Sequence, residues 1–165
     1  MAQLQKISPC LWFDDQAEDA AKFYCSVFNN SRITQTTYYG HAGFEFHGRP
    51  EGSVMTVSFE LDGHSFTGLN GGPIFKFTEA VSFQINCDTQ EEVDYFWNAL
   101  SAVPQAEQCG WVKDRFDLSW QIVPVALFDM LADPDTKKSQ RAMEAMLQMK
   151  KLDIATLQRA FAGDR

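Results

Sequence analysis

Cys109-Gly110-Trp111-Val112-Lys113-Asp114-Arg115-Phe116-Asp117-Leu118-Ser119-Trp120-Gln121-Ile122-Val123-Pro124 is the segment from which the rest of the chain can be ordered. From Leu118 the side chains alternate, with Leu118, Trp120 and Ile122 on one face and Ser119, Gln121 and Val123 on the other. That two-residue period is the mark of a half-buried strand. The charged Lys113-Asp114-Arg115 suits the tip of a hairpin leading into it. The segment fits two roles. It is either a core hairpin that uses tryptophan as filler, or the wall of a ligand cavity carrying Gln121 with Trp111 or Cys109.

Upstream, Ile7 to Phe13 reads as a strand, and Asp14 or Asp15 caps a helix, Asp15 and Glu18 having capping-box spacing. Ala17, Ala20, Ala21, Tyr24 and Phe28 make one buried stripe of that helix, which Asn29-Asn30-Ser31 ends. Ile33 to Tyr39 is a β-rich run, and the glycine-rich 40–52 reads as a loop. Val54–Leu61 and His64–Asn70 flank Asp62-Gly63, a strong hairpin turn. The order β-α-β-β-β then starts again. Val81 to Cys87 is a strand, and Thr89 with Glu92 forms a second capping box. Val93, Phe96, Trp97 and Leu100 are the buried stripe of the next helix. Pro104 breaks the chain, leaving room for a short strand. A shift of 74 residues lays Asp14–Glu18 on Asp88–Glu92, Leu11 on Ile85, Ser8 on Ser82 and Phe23 on Trp97. Matched spacing and matched element order indicate an internal duplication. Beyond Pro124 the apolar Val125–Leu131 precedes two helices. The first, Thr136–Lys150, carries Met143, Met146, Leu147 and Met149 near one face; the second is capped by Asp153. This tail is expected to pack on the sheet or on a partner subunit.

Size and charge narrow the function classes. A chain of 165 residues fits one domain or two fused halves. Its net charge of −8 opposes nucleic-acid binding, because phosphates are repelled. No apolar run is long enough to cross a membrane, and Met1–Lys6 has no signal-peptide pattern. Cys10, Cys25, Cys87 and Cys109 form no C-x-x-C pair, which fits free thiols in a reducing compartment. The expectation is a cytoplasmic protein without membrane or nucleic-acid partners.

The duplicated order resembles the vicinal oxygen chelate (glyoxalase/bleomycin-resistance/dioxygenase) superfamily. Leu11-Trp12-Phe13-Asp14-Asp15-Gln16-Ala17-Glu18-Asp19-Ala20-Ala21-Lys22-Phe23-Tyr24 is similar to the opening of its PhnB-like branch, whose members often carry a demethylubiquinone methyltransferase label. Val81-Ser82-Phe83, Glu91-Glu92-Val93-Asp94, the Cys109–Pro124 segment and Lys151-Leu152-Asp153-Ile154-Ala155 extend the match. The resemblance implies an α+β fold: duplicated βαβββ modules whose curved mixed sheets surround a cavity, with C-terminal helices. It also implies a homodimer. One glyoxalase-like domain over 1–165 would then hold module one at about 5–75, module two at about 79–124 and a helical tail at 125–165.

In metal-dependent relatives, the resemblance implies a histidine on the first strand of each module and a glutamate on the last. Here Ser8 and Pro9 stand around the first position, and Ser82 and Phe83 around the second. No carboxylate falls between Gly63 and Thr78, and Gln121 occupies the second glutamate position. Neutral amides and hydroxyls are poor divalent-ion ligands, so no metal and no cofactor is expected. The expected pocket is lined by Gln121, Ser82, Gln84, Ser8, Trp111, Cys109 and Asn70, and takes a small planar or amphipathic organic molecule. No residue is assigned a catalytic role. Two other readings stay open. One is a metal-dependent lyase, isomerase or dioxygenase that recruits ligands from the 40–52 loop, where His41 and His47 flank Glu45, or from a partner subunit. The other is a methyltransferase, as the label says, although no glycine-rich loop follows the first strand and the order is not that of a Rossmann fold. Gly68-Leu69-Asn70-Gly71-Gly72-Pro73 has no following Lys-Ser/Thr and reads as a strand end rather than a phosphate loop.

Overall fold

A computed structural model of the chain describes residues 5–164. Met1–Leu4, which belong to the opening segment read above for a signal peptide, and Arg165 at the end of the expected tail lie outside the described residues. The chain divides into two compact units, 1–76 and 77–165.

In the first unit, β1 (Cys10–Phe13), α1 (Ala17–Val27), β2 (Arg32–Tyr38), a one-turn α2 (Phe44–His47), β3 (Val54–Leu61) and β4 (His64–Asn70) follow in order. The sheet runs β1-β4-β3-β2, with β1 parallel to β4 and the other pairs antiparallel. Ala17, Ala20, Ala21, Tyr24 and Val27 of α1 are buried, as are Val57, Phe59 and Leu61 of β3. The helix can lie this close because Gly68 has no side chain: a Cβ there would stand 3.1 Å from that of Ala17. The β3–β4 turn has positive φ at both Asp62 and Gly63, the backbone twist that tight hairpins need.

Two expectations are corrected here. The first strand starts at Cys10 rather than Ile7, although Pro9 still accepts a hydrogen bond from Thr67 N (3.0 Å). Neither Asp14 nor Asp15 caps α1. The N-cap residue is Gln16, which makes no side-chain cap bond, and Asn70 of β4 supplies the acceptor instead. Its Oδ1 takes Ala17 N at 2.8 Å, its Nδ2 donates to Val54 O at 3.1 Å, and its own carbonyl accepts the Tyr39 hydroxyl at 2.6 Å. An acceptor brought in by the sheet competed with the local carboxylate and won.

In the second unit, β5 (Phe83–Cys87), α3 (Gln90–Leu100), a 3-10 turn at Pro104–Ala106, β6 (Trp111–Lys113) and β7 (Ser119–Pro124) are followed by α4 (Val125–Leu131), α5 (Thr136–Leu147) and α6 (Ile154–Ala162). The sheet runs β5-β7-β6, parallel between β5 and β7 and antiparallel between β6 and β7. Thr89 caps α3 as expected, accepting Glu92 N at 3.2 Å, while the Glu92 carboxylate accepts Asp88 N at 2.7 Å. Shifted by 74, Ala17–Val27 becomes 91–101, one residue from Gln90–Leu100. The duplication thins out after that helix. Four strands were expected, but the described residues of the second unit form three, with the 3-10 turn and a single bridge between Gln108 and Trp111 where the fourth would run.

The tail packs within its own unit. Leu127, Met130, Ala142, Leu152 and Leu157 join Val123 of β7 in one buried cluster, with Met146 and Met149 against it. The methionine stripe is thus largely used inside this unit, and Val125, Phe128 and Leu147 stay exposed. Backbone bonds lock the tail down: Cys109 N donates to Met149 O (2.9 Å) and Gly110 N to Lys150 O (2.8 Å). The Gln90 amide adds two more, donating to Leu152 O and accepting Ile154 N.

Asp114 is not a solvated hairpin-tip charge. It is fully buried: Oδ1 accepts Phe116 N (2.8 Å) and Leu118 N (3.1 Å), and Oδ2 accepts Trp120 Nε1 (2.8 Å). A carboxylate in the turn satisfies the amides that a five-residue reversal would otherwise leave orphaned.

Candidate functional site

The three-stranded sheet has one greasy face and one mostly polar face, covered by the tail at its Val123 end, and the register fixes which is which. Phe83 pairs with Trp120 and Ile85 with Ile122, and the last three of these are buried. On the opposite face Gln84 pairs with Gln121, and across β7 Gln121 pairs with Trp111 while Ser119 pairs with Lys113. A strand presents alternate residues to alternate faces. Ser119, Gln121, Trp111, Lys113, Gln84 and Asn86 therefore share one surface.

Gln121 Nε2 donates to Ser82 Oγ at 2.9 Å, and Gln84 Nε2 donates to Asn86 Oδ1 at 2.9 Å. These are neutral pairs at the surface of a sheet, able both to donate and to accept. Toward the β6 edge the face opens into a cleft of about 460 Å³ lined by Glu79, Gln105, Gln108, Cys109, Trp111, Lys113 and Ser119. Lys113 Nζ meets a Glu79 carboxylate oxygen at 2.7 Å, and this contact holds the Glu79 carboxyl below the usual range. Ser119 is only 1% exposed, and its Oγ has no hydrogen-bond partner among the described residues.

Of the seven residues singled out from the sequence, five lie in this unit. Ser82, Gln84, Gln121 and Trp111 are grouped by the sheet, and Cys109 shares the cleft with Trp111. Ser8 and Asn70 belong to the first unit. Ser8 is exposed ahead of β1, at the rim of a hollow of about 410 Å³ with Ser58, Ser65 and Thr67. Asn70 is buried, and its amide bridges α1 and β3 as described above. Ser119, Lys113 and Glu79 were missed. The alternation had already put Ser119 on the face of Gln121, and β6 adds Lys113 by direct pairing.

At the positions where the resemblance implies metal ligands in the second unit, the structure places the neutral Ser82 and Gln121. Gln121 is an amide bonded to a serine hydroxyl, and such neutral groups bind hard cations weakly without carboxylate or imidazole support. Among the described residues no three His, Cys, Asp or Glu side chains gather in metal-binding fashion. In the 40–52 segment, His47 is engaged locally. Its Nδ1 accepts Arg49 N (2.9 Å), its Nε2 lies 3.2 Å from Ala42 O, and its ring packs on Tyr39. Cys87 is pushed up to about 12, chiefly by burial, which keeps that thiol protonated and inert.

Two mixed sheets, each with a helix after its first strand, define a glyoxalase-like α+β protein. The family model described as 3-demethylubiquinone-9 3-methyltransferase matches residues 5–123, and the chain belongs to that family, a PhnB-like branch of the vicinal oxygen chelate superfamily. A PhnB protein from Bacillus cereus, carrying the same methyltransferase description in provisional form, is 31% identical over 73% of this chain and 100% of its own, with a TM-score of 0.60. Protein PA1353 from Pseudomonas aeruginosa, 16% identical over 73% of this chain and 98% of its own, has a TM-score of 0.53 and shares the fold. No functionally curated protein matches the sequence. Among the described residues no helix is long and apolar enough to cross a membrane.

Proposed function

We propose that the protein binds a small organic molecule on the polar face of its second sheet, without a resident metal. The observation that carries this reading is the neutral Ser82–Gln121 pair beside Trp111, at positions where the family resemblance implies a histidine and a glutamate. An aromatic wall with a few convergent polar groups suits a planar ligand bearing a carbonyl or hydroxyl. The methyl transfer in the family description gains no support from the element order, since both sheets are mixed rather than doubly wound and parallel.

Two measurements on the same untagged protein test the proposal. Elemental analysis after dialysis is expected to find less than one divalent ion per chain; one Zn, Ni, Fe or Mn per chain surviving dialysis would refute the metal-free half. Chemical-shift mapping with a panel of small planar molecules is expected to move Gln121, Ser82 and the Trp111 indole together. Shifts confined to the helices or to residues 40–52 would place the pocket elsewhere.

A further inference from the structure

We infer that the cleft at the β6 edge selects a planar molecule carrying a carboxylate, with Lys113 as its anion anchor and Glu79 as the group it displaces. The inference rests on the small-molecule reading above and specifies the ligand class for the same face.

The asymmetry of the ion pair is the first ground. The Lys113 side chain is 18% exposed, whereas the Glu79 side chain is 65% exposed on the segment ahead of β5. The ammonium is held; the carboxylate that meets it is not. An ion pair with one partner this exposed is screened and weakly stabilising, so another carboxylate can replace Glu79 at small cost. Glu79 thus shows the site accepting the chemical group proposed for its ligand.

Ser119 is the second ground. It lies directly across β7–β6 from Lys113, so the hydroxyl and the lysine stem are cross-strand neighbours. A hydroxyl removed from water without a hydrogen bond is costly. A ligand oxygen or N–H reaching this depth supplies that bond.

Trp111 is the third. It precedes Lys113 by two residues on the same face and is only partly buried, offering ring surface for a flat body to stack on. The register sets two levels along the cleft: the ring on Trp111, and two residues further the carboxylate at Lys113 with Ser119 facing it across the strands.

Titrating the 15N-labelled full chain with benzoate and with benzamide, its uncharged counterpart, tests the inference. Benzoate is expected to move the Trp111 indole and the Ser119 amide, and to bind about ten-fold more tightly than benzamide. Glu79→Gln should tighten benzoate by roughly three-fold by removing the competitor. Lys113→Met, kept only if its spectrum remains dispersed as in the wild type, should erase the preference. Equal affinity for both probes at Trp111 and Ser119 would overturn the carboxylate inference while leaving the small-molecule reading standing. Absence of shifts at these residues with either probe would sink both. A Glu79→Gln protein binding benzoate no better than wild type would reject Glu79 as the displaced group.

Discussion

Asp114→Ala is expected to destabilise the second unit by about 4 kcal/mol, since hydrogen bonds to a charged group are worth roughly 1.5–3 kcal/mol each and do not add fully. Three donors lose their acceptor at once: Phe116 N, Leu118 N and Trp120 Nε1. Asp114 is fully buried, so bulk water cannot reach the stranded donors without opening the turn. Urea unfolding followed by tryptophan fluorescence gives the number. Asp114→Asn separates shape from charge. Its oxygen can keep the two backbone amides, but its NH2 then faces the Trp120 N–H, donor against donor, so about half the loss should remain. An Asn variant as stable as wild type would show that the turn needs the shape of Asp114 and not its charge.

Gly110→Ala should cost about 3 kcal/mol through two separate causes. Gly110 sits at φ +84°, where a Cβ is strained, and that Cβ would stand 2.8 Å from the carbonyl oxygen of Ile122. The neighbour is backbone, and Gly110 O also accepts Ile122 N at 2.8 Å, so the two cannot part without loosening β7. Gly163 in the same unit is the matched control. Its φ is +88°, yet the nearest atoms to an added Cβ belong to the Arg141 side chain at 3.5 Å. Gly163→Ala should therefore cost only the conformational share, about 1 kcal/mol. If the two variants lose the same stability in parallel urea melts, the close approach at Gly110 carries no energy.

The readings that held are those whose cause is local. Asp62-Gly63 needs no neighbour to form its turn, Thr89 caps the helix that follows it, and the alternation of 118–123 sorts its own two faces. Placing Gln121 beside Ser82 took the alternation together with the strand pairing that the family resemblance implies. What escaped is non-local. Asn70 reaches the start of α1 from 53 positions away, and a local Asp15 gave the wrong answer. Asp114, flanked by Lys113 and Arg115, looked like surface, yet Trp120 and the turn amides close over it. In residues 101–110 only Pro104 signalled a break, and it opens the 3-10 turn that stands where the fourth strand was expected.

The docking of the tail has a consequence in time. Gln90, in the first turn of α3, finds its two backbone partners 62 and 64 positions later, and the Cys109–Gly110 edge waits for Met149 and Lys150. A ribosome delivers the chain from the N-terminus, so the first unit has all its strands while the second still lacks the segment that covers its edge. Until residues 149–154 arrive, that edge keeps unpaired amides, which recruit foreign strands, and Val123 on the central strand lacks part of its cover. Pairing over such separations also closes large loops before any contact rewards them, which slows the search. The two halves of a duplicated design therefore differ in their exposure to misassembly: the first is self-sufficient early, and the second depends on the connection between its last two helices.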